Sequence, residues 1–169
     1  MSAVNAPFFV DREVIVVKRS GVWLADGVEI THEPTRKLFA RSLRRDAEGY
    51  FLAIGRETKR IEVEDTPFFV LRVDGSSSEG FTALLSNGQE LVLALEAITY
   101  RPGRLAFRWV PPAFTSEEDA LFLHAPYFDL LSHLIEDERG YWLEAKGKRQ
   151  LLQSRVESDP FDAPQGSSA

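Results

Sequence analysis

The 169-residue chain has no cysteine. Disulfides, thiolate zinc sites and cysteine nucleophiles are thereby excluded, and the absence fits a cytoplasmic protein. Histidine is scarce too. His32, His124 and His133 form no i, i+4 pair and no His-Glu-x-x-His pattern, so no metal site is expected. No window approaches the ~20 apolar residues that span a bilayer. The opening "MSAVNAPFFVDRE" lacks the basic start and apolar run of a signal peptide. There is no Walker loop and no G-x-G-x-x-G. Residues 75–80 fail as a G-x-S-x-G elbow, because Glu79 occupies the second glycine position. No cofactor is expected. Positive charge is in deficit: the net charge is -6 at pH 7. That argues against a general nucleic-acid binder, which needs clustered Lys and Arg to neutralise phosphate.

What is present suffices for a globular core. Hydrophobic residues make up 44% and charged residues 27%, the usual balance for a soluble domain. The acid excess lies wholly after Asp65; up to that residue the chain is balanced, so its front half can still attract an anion.

Strand and turn signals dominate. "EVIVVKR" (13–19) is β-branched and reads as a strand. Asp26-Gly27, Asn87-Gly88, Pro102-Gly103 and Lys146-Gly147 each separate apolar runs and predict hairpins. "HEPTRKLFARSLRR" (32–45) switches to helical period, with Leu38, Phe39 and Leu43 on one side and Arg36, Lys37, Arg41, Arg44 and Arg45 on the other. A second amphipathic helix is predicted over "APYFDLLSHLIEDE" (125–138), and "TSEE" (115–118) matches a capping box before a short helix. In "IEVEDTPFFVLRV" (61–73), Pro67 cannot donate to a ladder and Asp65 suits an Asx-type turn. "EDTP" therefore splits one apparent strand into two.

The pattern predicts an α+β fold: β-rich antiparallel modules, each with a short helix. Boundaries fall at 1–12 (N-terminal extension), 13–73, 74–153 and 154–169, the last polar and expected to be disordered. Residues 38–52 and 129–143 align without gaps, matching Leu43/Leu134, Asp46/Asp137, Gly49/Gly140, Tyr50/Tyr141 and Leu52/Leu143. An internal duplication would set two similar modules face to face, with a ligand between them.

No catalytic residue is assigned. Glu62, Glu64 and Asp65 could supply a carboxylate acid–base pair, but a solvated strand face with a turn-forming Asp65 explains them as well. The basic helix is the sharper feature. Its plain reading is a solvated face bonded to the chain's own acids, Glu62 and Glu64 among them. Its functional reading is a patch for a phosphate-bearing ligand or an acidic partner, since arginine forks suit both phosphate and carboxylate.

Three segments carry a resemblance: "GVWLADGVEI", "LFARSLRRDAEGYFL" and "KRIEVEDTPFFVLRV". Through Gly21-Val-Trp23 with Gly27 and Ile30, Gly49-Tyr50, and Val63-Glu64-Asp65-Thr66-Pro67-Phe68, the chain resembles the bacterial domain of unknown function 1285 family. It departs from the family pattern at Ser20, at "IGRETK" and at Thr31. The resemblance implies a two-part fold with a duplicated β-rich motif, the second half like a pleckstrin-homology barrel. It also implies a nucleotide-like ligand between the halves and a part in bacterial signalling. A non-enzymatic sensor is the resulting expectation, with Arg36, Arg41 and Arg44 neutralising the ligand, Trp23 and Phe68 as aromatic walls, and Asp65 shaping the junction. The alternatives are a protein–protein adaptor docking an acidic partner through the helix, and a carboxylate-dependent hydrolase.

Overall fold

The computed structural model describes residues 7–155. An antiparallel meander comes first: β1 (Ile15–Val17), β2 (Trp23–Ala25) and β3 (Val28–Glu29). Asp26 and Gly27 close its second hairpin with φ of 49° and 79°, the positive pair that a type I′ turn demands. α1 (Glu33–Arg41) follows, with Pro34 in its first turn. A second meander runs through β4 (Leu43–Asp46), β5 (Gly49–Ile54) and β6 (Glu57–Arg60). β7 (Glu62–Val63) then returns to the first sheet, parallel to β1.

α1 is shorter than its periodicity predicts. Ser42 ends it: its N–H bonds the carbonyls of Leu38 and Phe39, and its hydroxyl donates to Leu38 O at 2.7 Å. Leu43 then pairs with Leu52 across the β4–β5 hairpin, and both are fully buried. Cross-strand burial overrides helix propensity here. Arg44 and Arg45 therefore stand on a strand, and the predicted cationic arc is divided.

The "EDTP" step does separate two strands, and it carries the chain into a new sheet. β8 (Phe68–Ser76) joins β9 (Gly80–Leu85), β10 (Glu90–Val92), β11 (Ile98–Arg101), β12 (Arg104–Trp109) and β13 (Glu118–Phe122), in the order β10-β9-β8-β13-β12-β11. Two pairs correct the expectation of purely antiparallel modules: β1–β7 and β8–β13 are parallel. Each is joined by a long connection, as parallel pairing requires. The capping-box reading of 115–118 is also corrected. Glu118 opens β13 opposite Trp109, and the buried run Ala120–Phe122 is held between β12 and β8.

After β13 the helix–meander order recurs as α2 (His124–Leu131), β14 (Ile135–Asp137), β15 (Gly140–Ala145) and β16 (Lys148–Ser154). α2 is likewise shorter than the predicted 125–138 helix, because Ile135–Asp137 pairs with β15. β5 and β15 correspond end to end, Gly49 with Gly140 and Ile54 with Ala145. Asp46 accepts the N–H of Glu48 and Asp137 that of Arg139, each at 2.9 Å.

The matched glycines differ in one respect. Both have positive φ, 119° at Gly49 and 147° at Gly140. A Cβ at Gly49 meets nothing within 4 Å, but one at Gly140 would lie 2.0 Å from the Gln153 carbonyl oxygen. Gly140→Ala is expected to cost about 1–2 kcal/mol more than Gly49→Ala, because it must also push backbone aside. Urea denaturation of the two variants measures the difference.

One core runs through the molecule. Trp23, Phe39, Leu43 and Leu52 from the first half share it with Phe68, Phe69, Leu85 and Leu143. Phe9, within the segment expected to be an extension, packs on Phe39 at 6.2 Å. The predicted disordered tail lies, from residue 156 onward, outside the described residues.

Candidate functional site

The seam between residues up to β7 and residues from β8 onward is packed in its middle and open at its margins. α1 lies over it. Its two flanks face two cavities, each walled by both halves.

The first cavity has a volume of about 200 Å³. Trp23, Arg36 and Lys37 line it from the first half; Phe69, Leu85 and Leu123 line it from the second. Trp23 is buried and tilted against Phe39, with ring centroids 5.6 Å apart. Two of the expected site residues, Trp23 and Arg36, thus line the same cavity. Among the described residues neither Arg36 nor Lys37 has a carboxylate within ion-pair distance or a side-chain hydrogen bond. The plain reading of the basic helix holds in part: Lys37 and Arg41 are exposed and Arg45 reaches an acid of the chain, Glu118, but Glu64 is engaged elsewhere. Its carboxylate takes Lys18 Nζ at 2.6 Å and the Arg19 N–H at 2.8 Å, and these hold its pKa below the ordinary carboxylate value.

The second cavity, about 270 Å³, lies beyond the C-terminal turn of α1. Arg41 and Leu43 face Phe68, Asn87 and Phe114 across it. Arg41 also has no acid partner among the described residues. The six predicted site residues are thus distributed. Trp23 and Arg36 meet in one cavity, and Arg41 and Phe68 in the other. Arg44 lines neither, because its guanidinium is turned back onto the Leu43 carbonyl at 2.7 Å.

Asp65 lines neither cavity, and the turn role belongs to its neighbour. Thr66 Oγ1 accepts the Phe68 N–H at 3.4 Å and donates to the Asp119 carbonyl at 2.5 Å. Asp65 instead sits among Arg19, Arg101 and Arg104 at 3.8–4.0 Å. Arg19 and Asp65 come from the first half and the other two from the second, so the cluster ties the seam's far margin.

A polar recess of about 390 Å³ opens beside that cluster. Glu118, only 4% exposed in its side chain, accepts from Arg45 Nη1 and from Tyr50 Oη, each at 2.5 Å. Burial pushes the half-buried Tyr50 hydroxyl well above its ordinary pKa, and the Glu118 carboxylate raises it further. The sequence reading missed Glu118. The available signal was the apolar run 120–123, which begins two residues after Glu118 and is too short for a helix.

A wider recess, about 610 Å³, lies inside the first half between residues 7–15 and 57–62. Three of its charged groups serve the chain itself: Glu57 accepts the N–H groups of Phe8 and Phe9, Lys59 donates to the carbonyls of Val10 and Asp11, and Arg60 pairs with Asp46. Among the described residues no three histidine, aspartate or glutamate side chains converge to hold a metal ion. None of the described helices is long and apolar enough to cross a membrane.

With this geometry in place, comparison with known proteins is informative. Residues 5–66 match the model of the domain of unknown function DUF1285, N-terminal domain. The front of the chain is thus similar to that domain. Two crystal structures extend the likeness into the second half. A DUF1285 family protein from Silicibacter pomeroyi DSS-3 is 19% identical, with 85% of this chain covering 81% of that one at a TM-score of 0.58. A DUF1285 family protein from Shewanella baltica OS155 is 18% identical, with 72% of this chain covering 92% of that one at a TM-score of 0.54. At that identity the likeness concerns the fold. No curated protein matches the chain. The matched stretch holds α1 and Trp23, and it ends at Thr66, where the chain leaves the first sheet.

Proposed function

We propose that this chain is a non-enzymatic cytosolic sensor that binds a small anionic ligand in the Trp23–Arg36 cavity between its two halves. The observation that carries the reading is the isolation of Arg36 and Lys37. By contrast Arg72, Arg101, Arg104 and Arg108 each have an acid within 4.0 Å. Cations left without internal partners beside an apolar cavity are disposed to meet an external anion. A nucleotide-like ligand would set its base against Trp23 and its phosphate at Arg36 and Lys37. The matched helix–meander units support a duplicated ancestor, and we place the junction of the halves at 64–67, because a boundary at 73 would cut β8. A hydrolytic role is disfavoured by Glu64, whose carboxylate is occupied by Lys18.

A thermal-shift panel of nucleotides, cyclic dinucleotides and small organic acids tests this. A ligand at 100 times its Kd should stabilise the fold by ~2.7 kcal/mol, and Arg36→Ala should diminish that gain. Silence across the panel would count against the reading. The same cations would also suit an acidic protein partner. In that case capture from lysate should weaken as salt rises, with no small-molecule shift.

A further inference from the structure

The walls of the seam cavity restrict what can enter it. This step rests on the ligand-binding reading above. Trp23, Phe69 and Leu85 are at most 2% exposed and form a fixed apolar floor. Leu71, Leu84 and Leu123 complete the apolar lining. No lining side chain is an amide, and the one hydroxyl is that of Ser86. Its oxygen accepts the Phe69 N–H at 3.1 Å, and its proton has no acceptor among the described residues. Inside, then, the side chains offer a ligand two donors, the Ser86 hydroxyl and the Trp23 indole N–H, and no paired donor–acceptor edge. A nucleobase would leave most of its polar edge unsatisfied there, at a cost.

The rim is cationic but only slightly. Arg36 and Lys37 face Glu33, one turn earlier on α1 and itself part of the lining. The balance is a single positive charge, which suits a monoanion better than a dianionic phosphate. Lys37 reaches across to the second half. Its Cε lies 2.5 Å from where a Cβ on Gly88 would stand, so its stem rests on the β9–β10 turn, where Gly88 has φ 86°.

Size sets the last limit. The volume of about 200 Å³ exceeds the ~150 Å³ of a cavity that takes benzene and falls short of the ~300–1,000 Å³ usual for drug-sized ligands. From apolar walls, single hydroxyl, rim charge and volume together, we infer that the cavity takes a monocarboxylate whose apolar body is about one aromatic ring, ring inward and carboxylate at Arg36, Lys37 and Ser86.

The test is calorimetric titration of the full chain with phenylacetate, its neutral analogue phenylacetamide, and AMP. Phenylacetate should bind, phenylacetamide about tenfold or more weakly, and Arg36→Ala should weaken phenylacetate about tenfold, the scale of one charge-assisted hydrogen bond. Arg36→Lys should recover part of the loss. Equal binding of acid and amide would overturn the inference by making the cavity a mere apolar hole. Binding of AMP, dependent on Arg36 and without binding of phenylacetate, would overturn it while leaving the sensor reading standing. No binding in any arm would remove both.

Discussion

Phe68→Ala is expected to lower the unfolding free energy by about 3–5 kcal/mol, the range for truncating a buried aromatic. As a residue chosen from sequence for an aromatic ligand wall, Phe68 proves to be foundation. It is 1% exposed and pairs with Ala120 in the parallel β8–β13 ladder. Its ring meets Trp109 edge-on at 5.5 Å and Phe114 at 5.4 Å, contacts worth about 0.5–1.5 kcal/mol each beyond area burial. The truncated ring would also open its volume into the neighbouring 270 Å³ cavity. A floor that already borders a void has few atoms able to collapse inward, which favours the upper part of the range. Equilibrium urea denaturation gives the answer. A change within about 0.5 kcal/mol would mean that Phe68 is surface wall after all and that the core boundary is misplaced.

The contrast between Phe68 and Trp23 shows where sequence reading reaches and where it stops. Local signals carried far. Asp26-Gly27 and Lys146-Gly147 adopt positive φ at both turn residues; Asp and Gly are among the few residue types that tolerate that geometry, and each turn carries at least the glycine. The strand break at 64–67 was readable for the same reason, since Pro67 cannot continue a ladder. Non-local choices were not readable. Nothing local tells Val16–Val17 to lie parallel to Glu62–Val63, or Ala120–Phe122 to lie parallel to Phe68–Val70. Nor could periodicity end α1 at Arg41: Leu43 satisfies the helical stripe as well as the strand it joins, and only its partner Leu52 decides. The candidate site followed suit. Trp23 and Arg36 are brought together, while Arg44 is lost to the strand. Lys37 and Ser86 enter the cavity because of what packs opposite α1, which no pattern in α1 encodes.

The second large effect is expected at Glu118. Glu118→Ala should cost about 2–3 kcal/mol: it removes a buried acceptor from two hydrogen bonds, one of them charged, and strands the half-buried Tyr50 hydroxyl. The figure stays below that for a wholly buried pair, because the Arg45 side chain is 47% exposed and can turn to water. Glu118→Gln keeps an acceptor for Tyr50 and should lose about half as much. The alkaline limb supplies an independent check. Burial and Glu118 raise the Tyr50 pKa in the folded protein, so above the ordinary tyrosine value of about 10 the folded state holds a proton that the unfolded state has released. This contribution is complete below pH ~10 and is lost as pH rises beyond it. Denaturation curves from pH 8 to 11 should therefore fall more steeply at the alkaline end for the wild type than for Tyr50→Phe, which has no proton there to retain. Glu118→Ala should fall between the two, since burial, the larger cause of the raised pKa, remains when the carboxylate is gone. Parallel alkaline limbs in all three proteins, together with a neutral Glu118→Ala, would show that this contact between the first half and β13 does not hold the halves together.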